Sequence, residues 1–399
     1  LLLAKGHRVS GSDLKENSMT LRLREKGASV FVGHNAENVK GAERVVFSSA
    51  IDSNNPELVE ARNKNLPLLP RAALLAELMK GHVGITIAGA HGKTTTTSMI
   101  SSILIKAGLE PTTAIGGIVN GAATNAQLGL GKYFVAEVDE SDGSFLFFSP
   151  QYSVITNIDF EHVDYYRNWR NILKAYKEFI QKTAKDGMLF VSASDVALMN
   201  LMEKSKRPFQ SYGFSLGDHI CAAKVKLDTL SSYFECIVDG KRLGEINLKV
   251  PGKHNILNAL AAIGVGINLS IDFNIIRQSL FEFKGVERRF QIVGQTEDIL
   301  VVDDYAHHPT EIRATLKAAQ TLKKKRLVTI FQPHRYSRVK FLMDEFVETL
   351  PGSDYLILTD IYPASEKPIR NITAEKLLGK IKEKSDTPCQ YVPKEKILE

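Results

Sequence analysis

The sequence of 399 residues predicts an α/β protein of three domains. The first observation is length, because chains of this size usually form two or three domains that each enclose a core. The second is the alternation of short apolar strands with helices along residues 1–80 and again from Arg289 onward. The third is an apolar strand, Val83–Ala88, that a glycine turn joins to a helix. The three observations indicate two βα domains on either side of a central phosphate-loop domain.

The composition narrows the class of protein. Hydrophobic residues make up 44% of the chain and charged residues 24%, which is ordinary for a globular protein. The net charge of +6 suits small anionic ligands and gives no reason to expect nucleic acid. No uninterrupted apolar stretch of about 18 residues predicts a membrane span. Three cysteines without metal-type spacing predict reduced thiols. We therefore expect a cytoplasmic protein without nucleic-acid or membrane partners, either monomeric or weakly dimeric.

Residues 1–80 predict a Rossmann-like domain with strands at 8–12, 29–32 and 44–49. The first strand and its glycine-rich loop are missing from the pattern, so we expect this domain to be truncated. Strand ends are where such sheets bind ligands. Three polar residues lie there, although each alone is more typical of an ordinary turn: Asp13, Ser48 and Ser49.

The central domain begins with a candidate phosphate-binding loop. Behind the strand comes a turn that leads into a helix, with the sequence Gly89, Ala90, His91, Gly92, Lys93, Thr94 and Thr95. Backbone N–H groups at such a turn face an anion, the lysine reaches the outer phosphates and the hydroxyl ligates Mg²⁺. Ile87 stands where the strict motif has glycine, so the match is to a shorter Gly-x-x-Gly-Lys-Thr form. A glycine turn without a ligand is the alternative, but the flanking strand and helix favour phosphate.

Two acidic clusters follow predicted strands of the same sheet. The strand at 133–138 ends in EVDESD, and the strand at 152–158 leads into NIDFEHVD. Four carboxylates within six residues are costly unless they are solvated or hold a cation. A single histidine such as His162 is more often structural. Two polar clusters beside a phosphate loop nevertheless favour a nucleotide and Mg²⁺ site that includes Glu140 and His162.

A buried helix begins near His254, after Pro251 and Gly252. Asn255 and Asn258 are three residues apart and share one face of this helix. The two amides could bind a purine edge, or one could cap the helix while the other lies on the surface, and the spacing leaves both open. We place the next domain boundary in FKGVERRF at 283–290. The predicted domains therefore cover residues 1–80, 81–287 and 288–399.

The third domain returns to βα units, which again predicts a Rossmann-like fold whose end is missing. Its strands at 299–304, 326–331 and 354–359 lead into the polar loops DDYAHHPTE, QPHRYSR and DIYPASE. Because carboxyl ends of parallel strands meet at one edge, these loops predict a site there. Arginines in such loops suit a carboxylate or phosphate through paired hydrogen bonds.

Several motifs together resemble the Mur ligases, the ATP-dependent amide-forming enzymes of peptidoglycan precursor synthesis. The motifs occur in the family's order: GAHGKTTTT, EVDESDGSF, TNIDFEHVDYY, HNILNALAA, ERRF and DDYAHHPTE. The resemblance covers essentially the whole chain and implies a central ATPase-type domain between two Rossmann-like ones. The segment QPHRYSR resembles the corresponding sequence in the branch of the family that adds L-alanine. The resemblance therefore implies UDP-N-acetylmuramate and L-alanine as substrates, with ATP and Mg²⁺.

The resemblance also implies residue roles. The catalytic group would be Lys93, Glu140, His162, His307 and Arg335. Mg²⁺ would bind Thr94, Glu140 and His162. ATP would contact Gly89, Ala90, His91, Gly92, Lys93, Thr94, Thr95, Asn255, Asn258, Arg289 and Asp304. The UDP group would lie near Asp13, Ser48 and Ser49. The amino acid and the muramyl carboxylate would be positioned by Tyr305, His307, His334, Arg335 and Arg338.

The implied reaction runs through an acyl phosphate that the amine of L-alanine attacks. Two alternatives remain. The first is a recycling ligase that attaches a preformed peptide to the same sugar nucleotide, against which QPHRYSR argues. The second is a nucleotide-hydrolysing switch without amide-forming activity, for which the polar loops of the third domain have no evident use.

Overall fold

A sheet of ten described strands forms the centre of this computed structural model, which describes residues 1–117, 125–322, 325–364 and 366–397. All neighbours from Ile220–Leu227 to Thr112–Ala114 are parallel, and antiparallel strands flank them at both ends. In spatial order the strands are Lys241–Leu248, Ser232–Val238, Ile220–Leu227, Phe209–Gly213, Met188–Ser192, Tyr152–Ile155, Val83–Ala88, Tyr133–Glu137, Thr112–Ala114 and Ala126–Gln127. The mostly parallel central sheet that the sequence predicts is confirmed.

Helices cover both faces of this sheet, as a buried parallel sheet requires. The helices are Lys93–Lys106, Val163–Tyr166, Trp169–Lys182, Val196–Ser205, Lys253–Asn268 and Phe273–Glu282. Alternate strand residues enter different cores: Val135 packs in one apolar cluster, while Phe134 and Ala136 pack in the other. The strand Val83–Ala88 is buried almost throughout, which fixes the position of the phosphate loop that follows it.

The N-terminal region contains two small parallel sheets. Ser10–Asp13 pairs with Ser29–Val32, and Val45–Phe47 pairs with Leu68–Pro70. The helices are Ser18–Glu25, Pro56–Asn63 and Arg71–Met79. The strand Leu68–Pro70 was not predicted, because its three residues end in proline and show no alternation.

The C-terminal region is also α/β. An antiparallel pair, Gln291–Gln295 with Leu300–Asp303, precedes a parallel sheet of Val328–Phe331, Tyr355–Leu358 and Cys389–Tyr391. The helices are Pro309–Gln320, Tyr336–Phe341, Met343–Thr349 and Ala374–Lys384. Residues 339–350 have the pattern of one helix, but the structure forms two helices there, because Leu342 leaves the helical conformation between them. Ser365 of the third polar loop lies outside the described residues, as does Glu399. No helix in the described part of the chain is long and apolar enough to cross a membrane.

Candidate active site

The phosphate loop has the geometry that its sequence predicts. Gly89 has φ of 128°, and a Cβ there would lie 2.1 Å from Thr156 Oγ1, so glycine is required. Gly92 is also left-handed, and the helix begins directly after it at Lys93. Lys93 Nζ donates a hydrogen bond to the carbonyl of Gly89 at 2.6 Å. The lysine thus curls back over the turn where an anion would bind.

Lys93 forms a buried ion pair with Glu140. Its Nζ lies 2.7 and 2.9 Å from the two carboxylate oxygens, and the Glu140 side chain is 4% exposed. Burial alone would lower the pKa of Lys93, but the charges of Glu140, Asp139 and Glu137 and the hydrogen bonds to Glu140 together outweigh burial and raise it. His162 Nε2 lies 3.5 Å from Glu140 Oε1. Lys93, Glu140 and His162 are therefore brought together, as the resemblance implies.

Thr94, by contrast, contacts a carboxylate that the predicted metal set lacks. Its hydroxyl donates to Glu137 Oε1 at 3.0 Å, and the backbone N–H of Gly116 donates to Glu137 Oε2 at 2.7 Å. Burial raises the pKa of Glu137. A threonine hydroxyl beside two carboxylates is the oxygen-rich donor set that Mg²⁺ prefers, so these residues fit the ion.

A cavity of about 480 Å³ opens beside the loop, between the central and C-terminal domains. Predicted nucleotide residues line it: His91, Gly92, Thr94, Thr95, Asn255, Asn258, Arg289 and Asp304. Gly92 is the N-cap of the helix Lys93–Lys106. The helix that carries both asparagines, Lys253–Asn268, has Gly252 and not Asn255 as its N-cap. Both asparagines are buried, so the interpretation of a cap plus a surface residue is wrong.

Part of the hydrogen-bonding capacity of these amides is used inside the protein. Asn255 Nδ2 donates to the carbonyl of Pro251 at 2.7 Å, and Asn258 Nδ2 donates to Asn255 Oδ1 at 3.3 Å. Asn258 Oδ1 accepts from the hydroxyl of Thr96. The pair is therefore rigidly oriented at the cavity wall, and each amide keeps one further N–H.

The segment around Arg289 connects the two domains. Arg288 and Phe290 on either side of it have positive φ angles of 55° and 49°, which is uncommon for residues other than glycine. Asp304 accepts hydrogen bonds from the backbone of Phe290 and Ala306 through its two carboxylate oxygens. Asp304 thus fixes the hinge against the first polar loop.

A second cavity, of about 930 Å³, is lined by all three domains. It contains Lys93 and Thr94 together with Ser49, His162, Tyr305, His307, His334, Arg335 and Arg338. Ser48 and Asp13 are not among its lining residues, and Asp13 instead accepts from the backbone of Lys15 in a turn. The two cavities share Gly92, Thr94, Arg289 and Glu311 at their junction.

The polar loops of the C-terminal domain are held by the central domain. Arg338 donates to Glu161 Oε1 at 2.6 Å, and both side chains are less than one-tenth exposed. Arg338 also lies 2.8 Å from His334 Nδ1. Arg335 begins the next helix with φ of 69°, a left-handed conformation that directs it differently from its helical neighbours.

A second interdomain network surrounds His91. Its Nε2 lies 2.8 Å from Asp159 Oδ2, and its Nδ1 lies 3.3 Å from Glu311 Oε1. Burial would lower the pKa of His91, but the two carboxylates outweigh burial and raise it to about 10. Thr310, next to Glu311, donates its hydroxyl to Asp159 at 2.8 Å. His91 is thus an imidazolium between carboxylates of two domains.

The predicted site omits several carboxylates that the structure places there, namely Glu137, Asp159, Glu161 and Glu311. It also omits His254, which lines the smaller cavity and whose pKa burial lowers to about 4. Glu311 could have been found as the acidic residue four positions after His307 in a first helical turn. The partners of Asp159, Glu161 and Glu311 in another domain, by contrast, come from distant segments that no local pattern reveals.

The fold and these two cavities define a three-domain phosphate-loop enzyme. Family profiles match the chain in succession: the Mur ligase family catalytic domain at 1–83, the Mur ligase middle domain at 87–266 and the Mur ligase glutamate ligase domain at 288–398. The chain belongs to the Mur ligase family.

Individual relatives narrow the comparison. The chain is 48% identical over 392 residues to a UDP-N-acetylmuramate–L-alanine ligase of Geotalea uraniireducens, covering 98% of this chain and 86% of that protein. It matches the crystal structure of a UDP-N-acetylmuramate–alanine ligase of Thermotoga maritima with a TM-score of 0.83 and 30% identity, covering 98% and 86% of the two chains. A murein peptide ligase of Psychrobacter arcticus has a TM-score of 0.74 at 22% identity, covering 98% and 87%, which is a likeness of fold alone.

Proposed function

We propose that the protein joins L-alanine to the carboxylate of UDP-N-acetylmuramate at the expense of ATP, in peptidoglycan precursor synthesis. The carrying observation is that Lys93 of the phosphate loop lines the same cavity as the polar loops of the C-terminal domain. The ligases that share nearly half of the sequence act on these two substrates. The smaller cavity would take the nucleotide, and the larger one the sugar nucleotide and the amino acid.

The reaction proceeds in two steps. A carboxylate oxygen of the muramyl group attacks the γ-phosphorus of ATP, the bond to ADP breaks, and an acyl phosphate forms. The amine of L-alanine then attacks the acyl carbon, and inorganic phosphate leaves as the amide forms. Lys93 stabilises the charge on the transferring group, because its ammonium lies buried in the larger cavity, between Gly92 and Thr94 of the junction in the chain, where the dielectric is low.

Thr94, Glu137, Glu140 and His162 are the residues that would hold Mg²⁺. The ion, when bound, neutralises charge between the phosphates and the acidic groups. Glu140 also orients Lys93 through two hydrogen bonds.

His307 is suited to take the proton that the attacking amine releases. Its Nδ1–H donates to the carbonyl of Tyr305 at 2.9 Å, which leaves a lone pair on Nε2. Burial lowers the pKa of His307, so the ring is neutral and can accept a proton. Arg335 lies in the same cavity as a cation for a carboxylate. The amino acid would thus be bound between these loops.

The experiment is ADP release with ATP, Mg²⁺ and UDP-N-acetylmuramate, with and without L-alanine. Release that requires both the sugar nucleotide and L-alanine, together with a new amide product, supports the proposal. Release that requires a tripeptide instead contradicts it and favours the recycling ligase. Release indifferent to every amine contradicts both and leaves a nucleotide hydrolase. The proposal includes a cytoplasmic location. It also includes a monomer or weak homodimer, and gel filtration of the purified chain measures this oligomeric state.

A further inference from the structure

Glu311 lies where the two cavities meet, and it faces groups from three separate segments. Its carboxylate is 3.3 Å from Nδ1 of His91 in the phosphate loop and 3.5 Å from the guanidinium of Arg289 at the hinge. It also accepts from the backbone N–H of His307 at 3.1 Å. The Glu311 side chain is 10% exposed, so these contacts are shielded from solvent.

The contact with His91 is incomplete. His91 Nδ1 is buried and has no aligned hydrogen-bond partner, although Glu311 Oε1 lies within ion-pair distance. A buried N–H without a partner is unfavourable. A small movement that aligns His91 with Glu311 would therefore be stabilising. Glu311 lies in the first turn of Pro309–Gln320 and its other carboxylate oxygen accepts from the backbone N–H of His307, so a shift of this carboxylate would also act on His307.

A metal ion does not account for this cluster. His91, Asp159 and His308 do place ligand atoms within 4.8 Å of one another. His91, however, lies between Asp159 and Glu311, an arrangement that favours the imidazolium form, and an imidazolium cannot ligate a metal. The pKa of His91, raised to about 10, agrees with this assignment.

We infer that Glu311 is a positioning residue that couples nucleotide binding in the smaller cavity to the placement of His307 in the larger one. When a nucleotide binds against the phosphate loop, His91 and Arg289 draw the Glu311 carboxylate into alignment, and its other oxygen fixes the loop that carries Tyr305 and His307. The inference rests on the proposed function, because it assigns His307 to the amino-acid site.

The first test is amide hydrogen exchange of the full chain over residues 303–311, with and without the β,γ-imido analogue of ATP and Mg²⁺. We expect the analogue to slow exchange there about tenfold in the wild type and to have no such effect in Glu311→Gln. Glu375→Gln is the matched control, because Glu375 is an exposed acidic residue in the first turn of another helix of this domain. Equal protection in Glu311→Gln and the control would overturn the inference.

The second test is steady-state kinetics. Glu311→Gln is expected to raise the KM for L-alanine about tenfold at saturating ATP and the KM for ATP by a similar factor at saturating L-alanine, because coupling between two binding sites is reciprocal. Because His91 and Glu311 act as a unit, Glu311→Gln combined with His91→Asn should lose no more than the worse single variant. Multiplicative losses would overturn the coupling. Should the Gln variant fail to fold, Glu311→Asp keeps the charge but shortens its reach, and it is expected to lose the same protection; retained protection would count against the inference.

The two tests separate the inference from the proposed function. A wild type that forms no amide with L-alanine but shows nucleotide-dependent protection through Glu311 contradicts the function and supports the coupling. A wild type that forms the amide, with protection independent of Glu311, supports the proposed function and contradicts the coupling.

Discussion

The phosphate loop and the polar loops of the C-terminal domain contribute to one site but are held in place differently. The phosphate loop follows a strand buried in the middle of a ten-stranded sheet, and its turn conformations come from two nearby glycines. The C-terminal loops follow strands of two smaller sheets rather than the single parallel sheet that the sequence predicts, and Arg338 is held by Glu161 of the other domain. One half of the site is therefore built by local sequence, and the other by contacts between domains.

This difference has a physical consequence. The phosphate loop is anchored to a sheet that packs against two apolar cores. The loop therefore keeps its shape without a ligand. The C-terminal loops depend on a few buried charges, which lose much of their stabilisation when one partner is removed. We therefore expect substitutions in the first region to affect chemistry and those in the second to affect assembly of the site.

The largest effect is expected at Lys93. Lys93→Ala removes the buried ammonium that stabilises the transferring phosphoryl group and should reduce kcat about 10³-fold, measured as ADP release with both substrates. Lys106→Ala, in the last turn of the same helix, removes an exposed pair with Glu282 and should change the rate less than about twofold. More than about one-tenth of the activity in Lys93→Ala would contradict the assigned role.

The next effect tests the dependence on interdomain charge. Glu161→Gln leaves Arg338 buried without its carboxylate and should reduce kcat/KM for L-alanine about 10- to 100-fold. The affinity for ATP, measured by calorimetry, should stay nearly constant. Glu235→Gln is the control, since Glu235 is a buried partner of Arg242 within the central sheet and far from either loop. A loss of ATP affinity equal to the loss for L-alanine would remove the distinction between the two regions.

A smaller effect is expected at Asn258. Asn258→Ala loses the hydrogen bonds to Thr96 and Asn255 and a wall of the smaller cavity, so KM for ATP should rise about tenfold. Asn268→Ala, at the end of the same helix, removes a bond to Gln210 outside the cavity and should leave KM for ATP unchanged. Similar KM values for the two variants would show that Asn258 serves only the packing of the helix.

The smallest effect concerns pH. The pKa of His91 is raised from 6.5 to about 10, so its stabilising contribution is complete below pH 6.5 and is lost as pH rises toward 10. The midpoint temperature of thermal unfolding should therefore fall more steeply between pH 7 and pH 10 in the wild type than in His91→Asn. Parallel curves for the two proteins would place the pH dependence elsewhere.

Much of the fold could be predicted from the sequence. Several predicted strands lie where the sequence places them: Ser29–Val32 matches 29–32, Val83–Ala88 matches 83–88 and Tyr355–Leu358 matches 354–359. The short strands Thr112–Ala114 and Cys389–Tyr391 were missed, because three residues carry too little pattern. The antiparallel strand Gln291–Gln295 was also missed, because it directly follows the expected hinge at 283–290 and its Gly294 resembles a turn.

The site divides in the same way. Lys93, Glu140 and His162 lie within one domain at the ends of neighbouring strands, and the sequence indicates them directly. The partners Glu161 with Arg338, and His91 with Glu311, are separated by 177 residues in one case and lie in different domains in both. Spacing along the chain holds no information about such contacts, because the orientation of one domain on another decides them.

The junction formed by Gly92, Thr94, Arg289 and Glu311 also has a pharmacological consequence. Two small inhibitors, one in each cavity, could bind at the same time, because among the described residues the two cavities share only those of the junction. The shared junction also brings the two inhibitors close together. Joining them through a linker short enough to pass Thr94 would make the second binding event intramolecular and raise affinity by about 10²- to 10⁴-fold. A linked compound of this kind would span the path of the transferred phosphate.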